Sequence, residues 1–390
     1  MPCSPKKARI LLKQEKAVVI RRKPFTIKLL YGGAGYKQPV TLGIDTGYSN
    51  VGLSAVTDKR EVFSGVLKLR SNIVKLISDK RMYRRNRRGR LWYRPCRFLN
   101  RVKSKKKGGL APSIKHKLNS HVRIVEFVNK LLPITKINIE VANFDIQKIK
   151  NPNIEGKEYQ KGDQKNFYNI REYVLYRDNH RCQSCKGKTK DKRLEVHHLI
   201  SRKIGGDRPD NLVTLCSVCH SKVSSGELKL NIKITKGFKA ESFMSTIRWK
   251  ILESIKDKFK NIDINITYGY ITKLKRASLK LPKNHSNDAF VIADGKDQES
   301  IYTYNIVQNR RNNRKLQLNR KGFKPSIRKQ KYPLQSRDLV KVNNKLCTVK
   351  GCFSYGKWVR LVDKLGNVIN KNISKISLIR YGKGFMFNEK

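Results

Sequence analysis

Acidic side chains are scarce in this sequence, and long apolar runs are absent from it. Of 390 residues, 29 are Asp or Glu against 88 Lys or Arg, a formal net charge of +59. A globular chain so short of acid repels itself unless a polyanion neutralises it, and nucleic acid supplies many closely spaced phosphates. With neither a long apolar run nor a lipid-anchor signal, a membrane-surface role is disfavoured. The opening MPCSPKKARILL has no signal-peptide core before its charges, so the expected compartment is the cytosol. There, eight cysteines point to metal ligation rather than disulfides. Internal repeats are absent too. What is present is a hydrophobic fraction of 38%, enough to furnish cores for two or three small domains or for one domain with insertions.

Along the chain the pattern is mixed α/β. Residues 1–40 read as a short helix followed by a strand. TLGIDTGYSNVGLSAVTD, REVFSGVLKL and KINIEVANFD read as strands, rich in β-branched residues and bounded by Gly, Asp and Asn. Helical patterns start at Asn72 and Ser113. Between Lys80 and Lys107 lie fourteen Lys or Arg and no acid. Arg81, Arg84, Arg85, Arg87, Arg88, Arg90, Arg94, Arg97 and Arg101 cover every face of the expected helix, interleaved with Tyr83, Trp92, Tyr93 and Phe98, which favours a nucleic-acid-binding helix over a solvated face. Pro95 is expected to end or kink it near Arg94. A polar linker, 148–165, opens a Cys- and His-rich segment. From about Asn305 a second basic stretch leads into short alternating strands with Gly turns, expected to form a small β-barrel.

Cys182, Cys185, Cys216 and Cys219 form two Cys-x-x-Cys pairs. Each pair sits on a tight knuckle able to aim two thiolates at one tetrahedral Zn²⁺, a structural site. Cys3, Cys96, Cys347 and Cys352 show no such spacing and read as ordinary thiols. His197, His198, Asn211 and His220 lie on the same segment. Adjacent strand residues point to opposite sides, so His197 and His198 have different jobs. Elsewhere Asp45 ends a predicted strand, Glu140 lies on another, and His285 and Asp288 open a late helix. Singly each is a weak signal, because an acid at a strand end is most often a cap or a turn residue.

The order HH…DNL…CxxCH resembles an HNH nuclease. That resemblance implies that His197 and His220 ligate one catalytic divalent ion, that His198 is the general base, and that Asn211 braces the loop. An imidazole suits a base because its pKa lies near working pH. Asp45, Glu140, His285 and Asp288 resemble the RuvC site of the RNase H fold, with His285 orienting or deprotonating the water. A split RNase H-like (RuvC) domain with an inserted zinc-stabilised ββα-metal HNH module, an arginine-rich bridge helix and a small C-terminal β-barrel is the α/β architecture of the IscB family, transposon-encoded RNA-guided nucleases similar to the CRISPR type II effectors. The resemblance implies an N-terminal PLMP-like domain at 1–40, RuvC segments at 41–70, 113–150 and 229–304, bridge helix and basic linker at 71–112, linker and HNH module at 151–228, and at 305–390 a basic connector and barrel contacting RNA and the target-adjacent motif. In that family a strand ending in Pro-Leu-Met-Pro precedes the Met-Pro with which this sequence starts.

The implied partners are a structured guide RNA and double-stranded DNA, with Mg²⁺ at both sites (two at RuvC, one at HNH), Zn²⁺ at the cysteines, no membrane, and a monomeric protein in the RNA complex in a prokaryotic cytoplasm. The protein would read a short flanking duplex motif while base pairing reads the target. Two other readings compete. A protein-guided homing endonuclease or junction resolvase would act without RNA. An RNA-binding platform would have lost its sites, against which the intact acids and His198 speak.

Overall fold

The structure is a computed structural model and describes residues 3–22, 24–32, 37–89, 109–142, 144, 146–160, 162, 164–202, 206–232, 238–311, 332–363 and 365–388. It divides into two compact units, Met1–Ala142 together with Thr246–Lys390, and Asn143–Ser245. Helix Lys239–Lys258 runs across the later junction.

The first unit begins with helix α1 (Pro5–Lys13), whose N-cap Ser4 accepts from the Lys7 amide and whose first residue is proline. Strands β1 (Ala17–Arg22) and β2 (Phe25–Leu29) pair antiparallel after it. The sequence suggested one strand here; Pro24 interrupts the apolar run, and the chain turns back at that point.

The centre is a seven-stranded mixed sheet. Its strands are β3 (Val40–Asp45), β4 (Asn50–Val56), β5 (Glu61–Lys68), β6 (Ile134–Glu140), β9 (Asp263–Thr267), β10 (Thr303–Asn309) and β16 (Gly384–Asn388), in the order β16-β10-β5-β4-β3-β6-β9. The ladders β3–β4 and β4–β5 are antiparallel, and β3–β6 and β6–β9 are parallel. Helices of this unit are α2 (Ile73–Gly89), α3 (Pro112–Asn129), α8 (Gly269–Ser278) and α9 (His285–Ile292). The strands read as nearly continuous apolar runs because the middle of the sheet is covered, and Leu42, Ile44, Leu53, Leu67, Ile137 and Ile139 are fully buried. Helix α3 buries Leu118, Val122, Val125 and Val128, a stripe at helical spacing.

Two glycines set the distance between α9 and the sheet. A Cβ at Gly43 would lie 2.1 Å from the Ala289 carbonyl oxygen, and one at Gly52 would lie 2.0 Å from that of His285. Only a residue without a side chain lets the helix come this close. The consequence is that the start of α9 sits directly against the ends of β3 and β4.

Toward the C-terminus, β11 (Leu339–Val342), β12 (Lys345–Phe353), β13 (Trp358–Val362), β14 (Val368–Asn372) and β15 (Ser377–Arg380) form an antiparallel sheet ordered β14-β13-β12-β11-β15 around Val340, Val349, Val359 and Leu361. The expected closed barrel is not formed among the described residues: β14 and β15 are the two edges, and no ladder joins them. Short alternating strands signal a sheet but carry no information on closure. Nor does residue 305 mark an element boundary. β10 begins at Thr303 and runs parallel to β5, and β16 returns from the C-terminal sheet to pair with β10. Cys347 is buried in the C-terminal core, and the Cys352 thiol donates to the Leu334 carbonyl.

The second unit contains α4 (Ile146–Lys150), α5 (Ile170–Arg177), β7 (Leu194–His198), β8 (Leu212–Cys216) and α6 (Ser217–Ser225). Helix α7 (Lys239–Lys258) leaves it. β7 and β8 are antiparallel, with His197 opposite Val213 and His198 opposite Leu212. A strand pair followed by α6 is a ββα unit. Its buried cluster is small, Cys182, Val213, Leu215, Cys216 and Cys219, and three of those five are cysteines.

Candidate functional site

In the second unit the two cysteine pairs converge. Ligand atoms of Cys182, Cys185, Cys216 and Cys219 all lie within 4.8 Å of one another, the one such group of three or more His, Cys, Asp or Glu among the described residues. The Cys185 and Cys216 sulfurs are 3.8 Å apart, close to the roughly 3.8 Å edge of a tetrahedron whose metal–sulfur bonds are ~2.3 Å. Burial pushes the Cys219 thiol up to about 12, with its cysteine neighbours adding to the effect. Thr189 pulls Cys185 down to about 6. Four such thiols keep their spacing as thiolates only around a cation, so the donor set fits a tetrahedral metal.

The histidines form two groups on opposite faces of β7, one of them completed by His220 from α6. His197 and His220 face each other edge to face with ring centroids 5.0 Å apart. Burial, then the proximity of His220 and His198, lowers the His197 pKa and favours the neutral ring that a metal needs. Glu195 meets Nδ1 of His220 at 2.9 Å, so a metal would be met through Nε2. On the other side of the strand, Nε2 of His198 lies 2.9 Å from Asp207, whose second oxygen accepts from Arg202 at 2.7 and 3.0 Å. With Asp207 ionised, the proton sits on Nε2 and the lone pair on Nδ1. Asn211 is fully buried. Its amide donates to the Ile200 and Gly206 carbonyls and accepts from the Ile200 amide, closing the loop between β7 and β8.

In the first unit the four other candidates meet at one end of the sheet. Asp45 is the last residue of β3 and Glu140 the last of β6, and the Thr46 hydroxyl ties the two strand ends through the Glu140 carbonyl at 2.7 Å. Asn284 caps α9 and accepts from the Asn287 amide, which places His285 and Asp288 in the first turn. Nδ1 of His285 is 2.7 Å from Asp45 and Nε2 is 3.3 Å from the Asn50 amide. That hydrogen bond and the acids around the ring raise the His285 pKa. Glu140 is raised as well, by burial first and then by Asp45 and Asp288, against a hydrogen bond from Thr272 and the charge of Arg276. The acids feel one another yet stand further apart than the cysteine sulfurs. Arg276 pairs with Asp288, and His285 pairs with Asp45. Part of the charge that divalent ions would neutralise is balanced here by Arg276, and the His285 hydrogen bond further satisfies Asp45, the behaviour expected of a clustered carboxylate set.

Residues 1–162 match the family described as RRXRR protein, and residues 182–226 match HNH endonuclease, a span that holds all four cysteines with His197, His198, Asn211 and His220. The chain therefore carries an HNH endonuclease domain behind a region similar to the RRXRR proteins. That domain makes it a metal-dependent nucleic-acid hydrolase. Solved structures of Streptococcus thermophilus Cas9 resemble part of this nuclease. The complex with AGGA PAM is 14% identical with a TM-score of 0.31, and the complex with AGAA PAM is 15% identical with a TM-score of 0.30, each covering 47% of this chain and 26% of that chain. The nuclease thus spans about a quarter of the length of those proteins. A search of curated proteins gave no match.

Asp207, Glu195, Arg276, Thr272 and Asn50 touch the candidate residues and were not among those the sequence suggested. Glu195 had a signal, since it lies two positions before His197 and so shares its strand face. The other four carry none in the local pattern. Of the basic helix, Arg81, Arg84, Arg85, Arg87 and Arg88 lie on α2, with Arg81, Arg84 and Arg85 exposed. Arg90, Arg94, Arg97, Arg101 and Pro95 lie outside the described residues.

Proposed function

We propose that this nuclease is an RNA-guided DNA endonuclease, in which the HNH module cuts the guide-paired strand and a RuvC-type site at Asp45, Glu140, His285 and Asp288 cuts the displaced strand. The observation that supports this most is the presence of two separate hydrolytic constellations on one chain of net charge +59. One is made of imidazoles in the small unit, the other of carboxylates at strand ends. Cutting both strands of a duplex calls for two such sites. The order β5-β4-β3-β6-β9, three antiparallel strands continued by two parallel ones, is in keeping with a split RNase H-like domain.

Asp45, Glu140 and Asp288 would hold two Mg²⁺, His197 and His220 one more, and the four cysteines a structural Zn²⁺. Bound there, Mg²⁺ supplies charge neutralisation at the scissile phosphate and an acidified water. His198, its Nε2 proton donated to Asp207, takes the proton of that water at Nδ1. Asp45 and Asn50 fix His285 with its proton on Nδ1, so this ring accepts at Nε2. Asn211 keeps the β7–β8 loop closed beside His198. The arginines of α2 bind the RNA backbone, and the C-terminal sheet contacts RNA and the flanking duplex motif. The protein acts as a monomer with its RNA in a prokaryotic cytoplasm, bound to DNA; no described helix is long and apolar enough to cross a membrane.

The test starts from the nucleic acid that copurifies with the protein. Sequencing it should return a structured RNA, and adding that RNA should make cutting of a matching, strand-labelled duplex RNA-dependent. Equal cutting without RNA favours a protein-guided nuclease instead. Replacing Arg84, Arg85, Arg87 and Arg88 by glutamine should weaken RNA binding and flatten its salt dependence by roughly 0.7 to 0.9 log units per lost contact. An unchanged slope would mean that α2 is a solvated structural helix.

A further inference from the structure

A strand that reaches the carboxylates from an opened duplex arrives with its bases unpaired, and those bases need a surface. β9 ends at Thr267, opposite Glu140 in register, and Tyr268, Gly269 and Tyr270 follow as α8 begins. Gly269 packs on the carboxylate itself, for a Cβ there would sit 3.4 Å from Glu140 Oε1. On either side of that glycine a tyrosine ring stands out from the surface. Tyr268 is 41% and Tyr270 66% exposed, their ring centroids are 6.2 Å apart, and their planes are within 11° of parallel.

Rings left this open return little of the stabilisation that burying an aromatic side chain provides. A pair of parallel, solvent-facing aromatic rings is instead the surface on which unpaired bases stack, without regard to sequence because every base has a π-face. The same helix adds exposed Lys273 for the strand's phosphates. Thr272, one turn into α8, bonds the Glu140 side chain, so the platform and the carboxylate are held by one short element.

We propose that Tyr268 and Tyr270 form a base-stacking platform that seats the unpaired DNA strand beside Glu140. This rests on the reading of the carboxylate site as the one that cuts the displaced strand. The platform sets the position of the strand and not its sequence.

The experiment uses the full chain with its copurified RNA in a His198→Ala background, so that cutting of the displaced strand is read alone. A fluorescent purine analogue in that strand near the cut position, with Ca²⁺ in place of Mg²⁺, should lose intensity on binding when tyrosines are unsubstituted. Tyr268→Ala with Tyr270→Ala should abolish the quench and raise the KM for displaced-strand cutting by about tenfold, leaving kcat within about twofold. Tyr268→Phe with Tyr270→Phe should behave as the unsubstituted chain, since the ring faces and not the hydroxyls act. An absent quench with both tyrosines in place overturns the platform, a result that does not depend on any variant folding. So does an unchanged KM in the alanine variant, or a phenylalanine variant as impaired as the alanine one. Asp45→Ala is run alongside. If the displaced strand is still cut without Asp45, the reading of the site itself fails and the platform falls with it. If Asp45→Ala stops cutting while the alanine pair changes nothing, the platform alone is wrong.

Discussion

The imidazole site and the carboxylate site are built in opposite ways. His197, His198, Asn211 and His220 come from one short run of chain, folded as two strands and a helix around a cluster of five buried residues, three of them cysteines. Asp45, Glu140, His285 and Asp288 come from two strands and a helix far apart in sequence, held over a sheet whose middle is fully buried. A local site on so small a core depends on a staple. A dispersed site on a large core depends on the sheet. The two are therefore expected to fail separately.

The largest effect should come from removing one reacting group at each site. Asp45→Ala should lower cutting of the displaced strand by about 10²- to 10⁴-fold and leave the guide-paired strand cut, and His198→Ala should do the converse. Strand-labelled DNA on a denaturing gel reads both. Loss of both cuts from either substitution would break the comparison, because the sites would then be coupled. Next in size is the staple. Cys182→Ser or Cys216→Ser should unfold the ββα unit, since such units draw much of their folding energy from the metal, and displaced-strand cutting should survive better than HNH cutting. Elemental analysis of active protein should find zinc, and chelation should reproduce the cysteine variants.

What was readable in the sequence follows the same division. Cys182, Cys185, Cys216 and Cys219 declare themselves by spacing, and His197, His198, Asn211 and His220 by a motif, because a local constellation leaves a local signature; the matched HNH family spans them all. Asp45 at a strand end and His285 with Asp288 at a helix start had weaker signals, each ambiguous until the chain folds. The return of β16 to pair with β10, and the open edges of the C-terminal sheet, had none, for strand partners and closure are decided by contacts across long separations. Arg276 on Asp288 and Asp207 on His198 are single charged residues in a chain full of charge, and only the folded arrangement distinguishes them.

Acid should separate the units as well. His121 on α3 is 1% exposed, with Nδ1 2.8 Å from the Lys117 carbonyl oxygen, and burial pushes its pKa down to about 4. The neutral ring supports the fold fully above the ordinary value of ~6.5; as pH falls from there through about 4, the unfolded chain takes up a proton that the native ring resists, and about 3 kcal/mol is lost. Trp249 and Trp358 belong to the sheet unit, and the sequence of residues 143–245 contains no tryptophan, so tryptophan fluorescence in urea titrations at neutral and acid pH reports no unfolding of the second unit. His121→Gln should flatten the pH dependence. A slope unchanged by the substitution would place the acid sensitivity elsewhere.

The smallest effect concerns how the base is aimed. Asp207 is half exposed and pairs with both His198 and Arg202. Surface ion pairs of the second kind contribute little, so Arg202→Gln should change guide-paired-strand cutting by less than about twofold. The pair with His198 acts differently. An aspartate accepting from Nε2 selects the tautomer whose lone pair faces away, and it favours the imidazolium that forms when the ring takes a proton. Asp207→Asn preserves size and an acceptor oxygen but removes the charge and allows the amide to present a donor instead. Cutting of the guide-paired strand should fall by about ten- to a hundredfold, in kcat more than in KM, while the displaced strand is cut as before. Metal added in excess should not restore it, since the proposed metal ligands His197 and His220 lie on the other side of the strand. If Asp207→Asn and Arg202→Gln prove equally mild, Asp207 is a loop residue and His198 is oriented by β7 alone. If excess metal restores the asparagine variant, Asp207 belongs with the ligands, and the division of labour between the two faces of β7 has to be redrawn.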